Sequence, residues 1–172
     1  MCDNKRSTSV VLLKSERQLS LMSFLLHTVG GLFFDRPAQR YTKDALLGRL
    51  ETQQTKLVEK FRSSPQTPRN ASVFTHIIGI ERWAHTRLRT RLGAPLRATE
   101  EYDQYRPPNT TPFYELAKLF EEARNETIAI ARAIPVDEYK QRIPHNQWGQ
   151  LTVAGWLNYL IVHAWAESQK VR

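Results

Sequence analysis

Residues 151–167, LTVAGWLNYLIVHAWAE, contain the longest nearly apolar run of the chain, which extends from Leu151 to Ala166 and is interrupted by Thr152, Asn158 and His163. Thr152 is a good N-cap, and the apolar spacing behind it predicts a helix that continues close to the C-terminus. The inner stripe of this helix consists of Val153, Trp156, Leu160, His163 and Glu167. Because the run is too short for a membrane span, we predict a buried helix.

His163 and Glu167 are four residues apart and therefore lie on the same face of this helix. The rest of that face is apolar, so the carboxylate loses its hydration when the helix packs against its neighbours. Such burial costs several kcal/mol unless a cation, a metal ion or a set of hydrogen bonds compensates it. The pattern therefore predicts a compensating partner for Glu167.

Three further helices are predicted from apolar residues at helical spacing between clusters of Pro and Gly. The first runs from its N-cap Thr42 to Arg62, and the third runs from its N-cap Thr111 to Pro135. The second begins at Asn70 or Ser72 as its N-cap and ends at Gly93. The stretches 97–110 and 135–150 are predicted loops, and we expect no strand after residue 41. The predicted fold is an all-α four-helix bundle over residues 41–172. Residues 1–40 form an N-terminal extension to which we assign no structure, and Met22 is an alternative start.

Composition favours one domain without disulfide staples. The chain has 172 residues, and its single cysteine, Cys2, excludes a disulfide framework and a cysteine-rich zinc site. Charged residues interrupt the apolar stretches near the N-terminus, which argues against a signal peptide. We therefore expect a cytoplasmic protein without a membrane segment. The net charge of +8 favours anionic partners.

A basic stretch on the second helix raises the question of nucleic-acid binding. Arg82, Arg87, Arg89 and Arg91 are distributed around this helix, and no helix-turn-helix spacing accompanies them. Their placement argues against a nucleic-acid partner. A rim that attracts an acidic small molecule fits the charge better.

His76 is the second candidate ligand position, because it lies on the inner side of the second helix. Helical bundles build metal sites from side chains that project inward from facing helices. His76, His163 and Glu167 could therefore meet around one metal ion. The alternative is that each histidine is a core residue that hydrogen-bonds a neighbouring group. His85 follows His76 by nine residues, so it points to the opposite side of the helix and is expected at the surface. His145 is expected in a solvated loop, from which it could rim a cleft.

Residues 72–83, SVFTHIIGIERW, and 151–153, LTV, followed by His163, resemble the DinB-like or YfiT-like metalloproteins. The resemblance covers roughly residues 43–172 and implies a four-helix bundle with a divalent metal, commonly zinc or nickel, beside an open cleft. His76 and His163 match two histidines of the family's site, and Glu167 stands where a third is usual. Two histidines and a carboxylate also suit manganese or ferrous iron. The alternative is a degenerate relative that has lost the metal.

The resemblance also implies a class of chemistry. Characterised relatives resemble transferases and isomerases that use low-molecular-weight thiols, bacillithiol or mycothiol, with the metal lowering the pKa of the thiol. We expect a metal-dependent enzyme, either such an S-transferase or a related hydrolase, acting on a small molecule. The second hypothesis is a metal-free bundle that binds a small molecule or a partner protein.

The last helix is apolar on nearly every side, so a further surface must cover it. Helical phase predicts that Tyr159, Val162, Trp165 and Ala166 lie away from the stripe that carries His163. Either the N-terminal forty residues supply the cover, or a second subunit does. A homodimer is the expectation in the second case.

Overall fold

Four long helices form the framework of the protein in a computed structural model that describes residues 30–97 and 99–172. The helices are α1 (Lys43–Ser63), α2 (Pro68–Leu88), α3 (Phe113–Ala133) and α4 (Val153–Ser168). Both α1 and α2 pack against α3, and α4 packs against α1 and α2. This arrangement confirms the predicted all-α four-helix bundle.

Side-chain caps define where two of the helices begin. Thr42 and Thr152 each accept a hydrogen bond from the backbone amide three residues on, at 3.2 and 2.9 Å. Both caps agree with the sequence-based prediction, because threonine oxygens replace the missing intrahelical acceptors. Helix α3 begins one residue later than expected, with Pro112 rather than Thr111 at its N-cap.

Helix α2 begins earlier than predicted. The expected caps, Asn70 and Ser72, are wrong, because Thr67 is the N-cap and accepts from the amide of Asn70 at 3.2 Å. Pro68 occupies the first helical position, where a residue without an amide hydrogen loses no bond. The prediction failed because two prolines in this segment suggested a loop.

Aromatic side chains contact one another at two places in the buried core. Phe61 and Phe74 stack with their ring centroids 3.8 Å apart, and Trp83 and Trp156 meet edge to face at 5.3 Å. All four side chains are buried. The expectation that Trp156 belongs to the core is confirmed.

A short hairpin leads into α4 and corrects the prediction of a loop without strands. Strand β1 (Arg142–His145) pairs antiparallel with β2 (Gly149–Thr152), with Ile143 opposite Leu151. Each strand has four residues, which is too short for a pattern of alternating polarity to be recognised. The hairpin matters for function because it forms one wall of a pocket.

Part of the predicted N-terminal extension packs against the hairpin and α4. A π-helical turn at Gly31–Asp35 brings Asp35 Oδ1 to 2.9 Å from the backbone nitrogen of Thr152 and 2.8 Å from its hydroxyl. Gly155 permits this approach, since a Cβ there would lie 1.9 Å from the same carboxylate oxygen. The boundary at residue 40 stays a prediction, and the alternative start at Met22 lies outside the described residues.

Helix α4 is the most apolar of the four helices, and the chain itself covers part of it. Phe34 meets Tyr159 edge to face at 5.2 Å, whereas Val162 and Trp165 stay exposed. Within the described ranges, no helix combines the length and the apolar character needed to cross a bilayer. Among residues 30–97 and 99–172, the cover is therefore incomplete on the side of Trp165.

Candidate metal site

The structure brings together the three residues predicted as metal ligands. His76 on α2 and His163 on α4 face each other, with their Nε2 atoms 3.1 Å apart. Together with a carboxylate oxygen of Glu167, one ligand atom from each residue lies within 4.8 Å of the other two. All three side chains are half-buried, so they can be reached from outside the core.

Glu167 has the compensating partner that its position on an apolar face required. The Nζ atom of Lys170 donates to Oε1 of Glu167 at 2.6 Å. The side chain of Glu167 keeps 17% of its exposure, so the carboxylate lies at the edge of the bundle rather than in its centre. An ion pair in such a place costs much less desolvation than a fully buried one.

Both histidine rings are held mainly in the neutral form. Burial, reinforced by the neighbouring His76, lowers the pKa of His163 to about 4. The pKa of His76 is also lowered, mainly by burial and against the opposing effect of Glu167. Because a metal ion binds the unprotonated imidazole nitrogen, a site with depressed histidine pKa values favours metal binding at neutral pH.

The donor set fits a divalent transition metal. Two imidazole nitrogens and one carboxylate oxygen are ligands found with zinc, manganese, ferrous iron and nickel. The two nitrogens converge from different helices, and the carboxylate joins them from one turn beyond His163. Three protein ligands leave at least one coordination position for a substrate or water.

A pocket of about 410 Å³ adjoins the three residues, and its largely apolar walls also contain the polar side chains of Glu101, Asn146 and Gln147. The apolar lining includes Phe34, Ile80, Trp83, Tyr102, Trp148 and Tyr159. Volumes and linings of this kind are typical of small-molecule sites. The candidate ligands therefore lie where a bound molecule could reach them.

The connection between α2 and α3 closes one side of this pocket. Its short 3₁₀ helix, Tyr102–Tyr105, places the ring of Tyr102 edge to face with His76 at 4.9 Å. Gly79 makes the close packing possible, since a Cβ there would lie 2.4 Å from Cγ of Arg106 and 3.1 Å from the carbonyl oxygen of Tyr102. The position of Tyr102 was not predicted, because the sequence of this connection has no periodicity.

Two residues near the site were assigned wrongly from the sequence. His145 is not a solvated loop residue: it ends β1, is 5% exposed and lines the pocket. Tyr159 is not turned away from His163, because their ring centroids are 5.4 Å apart. The spacing of four residues between Tyr159 and His163 could have indicated this contact. Burial of His145 depends on contacts with distant aromatic residues, which no local pattern reveals.

His85 lies outside the site, and this confirms the prediction from its position around α2. The prediction that His85 lies at the surface is wrong. His85 is 3% exposed, and its Nε2 lies 3.0 Å from the carbonyl oxygen of Ala123 and 2.9 Å from Oγ1 of Thr127. The face of α2 opposite His76 packs against α3 instead of facing solvent. His85 is therefore a hydrogen-bonded core histidine.

Two arginines of the basic stretch, Arg89 and Arg91, lie in the 3₁₀ turn Arg89–Leu92 that follows α2, and both pair with acidic residues. Arg89 forms an ion pair with Glu126, and Nε of Arg91 donates to Glu138 at 2.7 Å. Arg87 is buried, with its guanidinium over the ring of Trp83. These contacts reduce the positive field along the helix. That nucleic acid is not a partner stays a prediction.

Comparison with known proteins gives one match. A family model described as the DinB superfamily matches residues 40–166. The matched range contains His76 and His163 and ends one residue before Glu167. No curated protein and no solved structure matches the chain significantly.

Proposed function

Because this chain belongs to the DinB superfamily, we propose that it is a divalent-metal-dependent enzyme whose ion is held by His76, His163 and Glu167. One observation carries the proposal: ligand atoms from these three residues lie within 4.8 Å of one another at the wall of an open pocket. Zinc, nickel, manganese and ferrous iron all suit this donor set.

The reaction that fits this site best is the transfer of a low-molecular-weight thiol to a small electrophile. A divalent ion supplies a lowered pKa for a coordinated thiol or water and Lewis-acid polarisation of the acceptor. The aromatic walls exclude water from an apolar substrate, and the neutral histidines keep their nitrogens free to bind the ion. A hydrolase would use the same site with water in place of the thiol.

The net charge of +8 suits a thiol that carries carboxylates, because it attracts anions over long distances. Lys170 and Arg106 lie near the site, but Glu167 and Asp103 pair with them, so the long-range field carries this part of the proposal. A cytoplasmic location forms part of this proposal, since such thiols are kept reduced there.

Elemental analysis tests the proposal. Untagged protein is exposed to zinc, nickel, manganese or, without oxygen, ferrous iron, and then dialysed against a weak chelator. We expect close to one ion per chain, and sharply lower occupancy in His76→Ala and Glu167→Ala. The control is His85→Gln, whose amide nitrogen can replace the Nε2 donor of this remote histidine. Equal occupancy in all variants, or none in the unmodified protein, would contradict the proposal.

The second candidate function is a metal-free bundle that binds a small molecule or a partner protein. It is favoured by the fact that the three residues have partners without any ion: the histidines contact each other, and Glu167 pairs with Lys170. The same elemental analysis separates the two functions. Retained metal supports the enzyme, whereas a metal-free protein that still binds ligands in the pocket supports the binding module.

A further inference from the structure

His145 is buried at the inner wall of the pocket and surrounded by aromatic rings. The ring centroids of Trp83, Trp156 and Tyr159 lie 5.1, 4.8 and 4.7 Å from its own. The residue belongs to the pocket lining, yet it is not one of the three candidate metal ligands. A polar ring in an aromatic enclosure needs a reason, because its hydrogen-bonding atoms have lost their water.

One nitrogen of this ring has a structural role, and that role determines where the proton lies. Nδ1 of His145 accepts from the backbone nitrogens of Gln147 and Trp148, at 3.1 and 3.3 Å, within the hairpin turn. An accepting Nδ1 carries no hydrogen, so the neutral ring carries its hydrogen on Nε2. Burial lowers the pKa of His145 to about 3, which keeps the ring neutral at pH 7. The Nε2–H group is therefore a fixed donor.

This donor has no acceptor in the part of the chain that the structure describes. Nε2 of His145 is buried and makes no hydrogen bond there. The neighbouring aromatic rings are weak acceptors at best. Unpaired buried donors are rare in folded proteins, since the lost hydration is not replaced. Because His145 lines the pocket while its Nε2 is closed off from solvent, a ligand that fills the pocket can supply the missing acceptor once the neighbouring rings move aside.

We propose that Nε2–H of His145 donates a hydrogen bond to a carbonyl oxygen of a ligand whose aromatic or apolar body fills the pocket. The aromatic walls select the body of the ligand, and His145 selects the oxygen and fixes its orientation. This inference rests on the proposed function for the identity of the site, since the same pocket holds the electrophile. The hydrogen bond itself does not depend on a metal ion.

The test compares two small molecules of nearly the same shape. Acetophenone has a carbonyl oxygen, whereas ethylbenzene has none. Binding of each to metal-free protein is followed through the ¹⁵N NMR signals of the Trp83, Trp148 and Trp156 indole groups. We expect acetophenone to bind about tenfold more tightly, the contribution of one neutral hydrogen bond. The ring N–H signal of His145 should move with acetophenone only.

Two substitutions separate the roles of the two nitrogens. In His145→Asn, the short amide oxygen can still accept from the turn amides, but the donor in the pocket is lost. In His145→Gln, the longer side chain carries an NH₂ group near the former Nε2. The preference for acetophenone should disappear in His145→Asn and remain in His145→Gln. Thermal unfolding establishes that both variants fold.

Three results would overturn the inference: equal affinity for both compounds in the unmodified protein, an unchanged preference in His145→Asn, or no binding of either compound up to its solubility. The NMR signal of His145 provides a test that needs no variant. Repeating the titrations with zinc separates this inference from the proposed function. If acetophenone is preferred only when zinc is present, and still preferred in His145→Asn, then its carbonyl oxygen binds the metal ion. This result would refute the role of His145. If the protein binds no metal but still prefers acetophenone, the result supports the hydrogen bond from His145 and refutes the proposal of a metal-dependent enzyme.

Discussion

The Nε2 atoms of His76 and His163 lie 3.1 Å apart on facing helices, and burial keeps both rings mainly neutral. Two nitrogens that already converge need little rearrangement to bind one ion. Zinc should therefore raise the free energy of unfolding, by about 2.7 kcal/mol at a free concentration about 100 times the dissociation constant. Thermal or urea unfolding with and without zinc measures this effect.

Two histidine substitutions provide the controls for the stabilisation by zinc. His163→Phe retains a ring that can pack against Tyr159 but has no nitrogen, so zinc should not stabilise it. His85→Gln leaves the site intact and should show the full zinc effect. The same zinc-dependent stabilisation in His163→Phe and in the unmodified protein would show that zinc binds elsewhere.

Glu81 and Arg124 form an ion pair in the core between α2 and α3, and both side chains are buried. Nη2 of Arg124 donates to Oε2 of Glu81 at 2.9 Å, and Nε lies 2.9 Å from Oε1 without forming a hydrogen bond. Removing one partner leaves the other charge buried and unpaired. Glu81→Leu should therefore lower the free energy of unfolding by about 3–5 kcal/mol, as measured by urea denaturation.

A double-mutant cycle tests whether this loss comes from the pair. Combining Glu81→Leu with Arg124→Met should cost much less than the sum of the single changes, because no charge then remains buried. Additive losses would mean that the two charges do not stabilise each other.

Gly79 should not tolerate a larger side chain. In Gly79→Ala, the new Cβ would lie 2.4 Å from Cγ of Arg106, so the connection that holds Tyr102 against His76 must move. We expect a loss of about 1–3 kcal/mol in the free energy of unfolding. The matched control is Gly48→Ala in the interior of α1, where a Cβ meets no atom within 4 Å. That variant should be more stable by about 0.5–1 kcal/mol. Stabilisation by both substitutions would contradict the tight packing at Gly79.

How much of the site could be predicted depends on whether the interacting residues are close together or far apart in the sequence. The spacing of His163 and Glu167 is local, so it placed both residues on one face of α4 correctly. Helical phase showed that His85 points away from the site. It could not show whether that face of α2 contacts solvent or α3. The burial of His145 depends on Trp83 and Trp156, which are distant in sequence. Helical period therefore predicted the helices and their relative faces, whereas the pocket wall required the tertiary structure.

A second copy of the chain is the proposed cover for the exposed part of α4. Trp165 is 60% exposed, and Val162 lies exposed near it on the same helix. Sedimentation velocity at increasing concentration should show a dimer, and Trp165→Ser should weaken it. Tyr114→Ser is the control, because Tyr114 is 71% exposed and belongs to a different helix, α3. A monomer at all concentrations, or equal effects of both substitutions, would exclude this interface.

Acid should destabilise the protein before its carboxylates titrate. Burial lowers the pKa of His145 from 6.5 to about 3, so between these values the unfolded chain binds a proton that the folded chain does not. The contribution of His145 to stability is complete above pH 6.5 and is lost as the pH falls towards 3. One such proton changes the free energy of unfolding by about 1.4 kcal/mol per pH unit.

Urea denaturation between pH 4 and 8 should show a shallower pH dependence of the free energy of unfolding for His145→Asn than for the unmodified protein. Below pH 6 the two slopes should differ by about 1.4 kcal/mol per pH unit. Because the other histidines remain in the variant, the difference between the two curves reports mainly on His145 and to a smaller extent on His163, whose charge interacts with that of His145. Parallel curves would mean that His145 is protonated equally in the folded and unfolded chains.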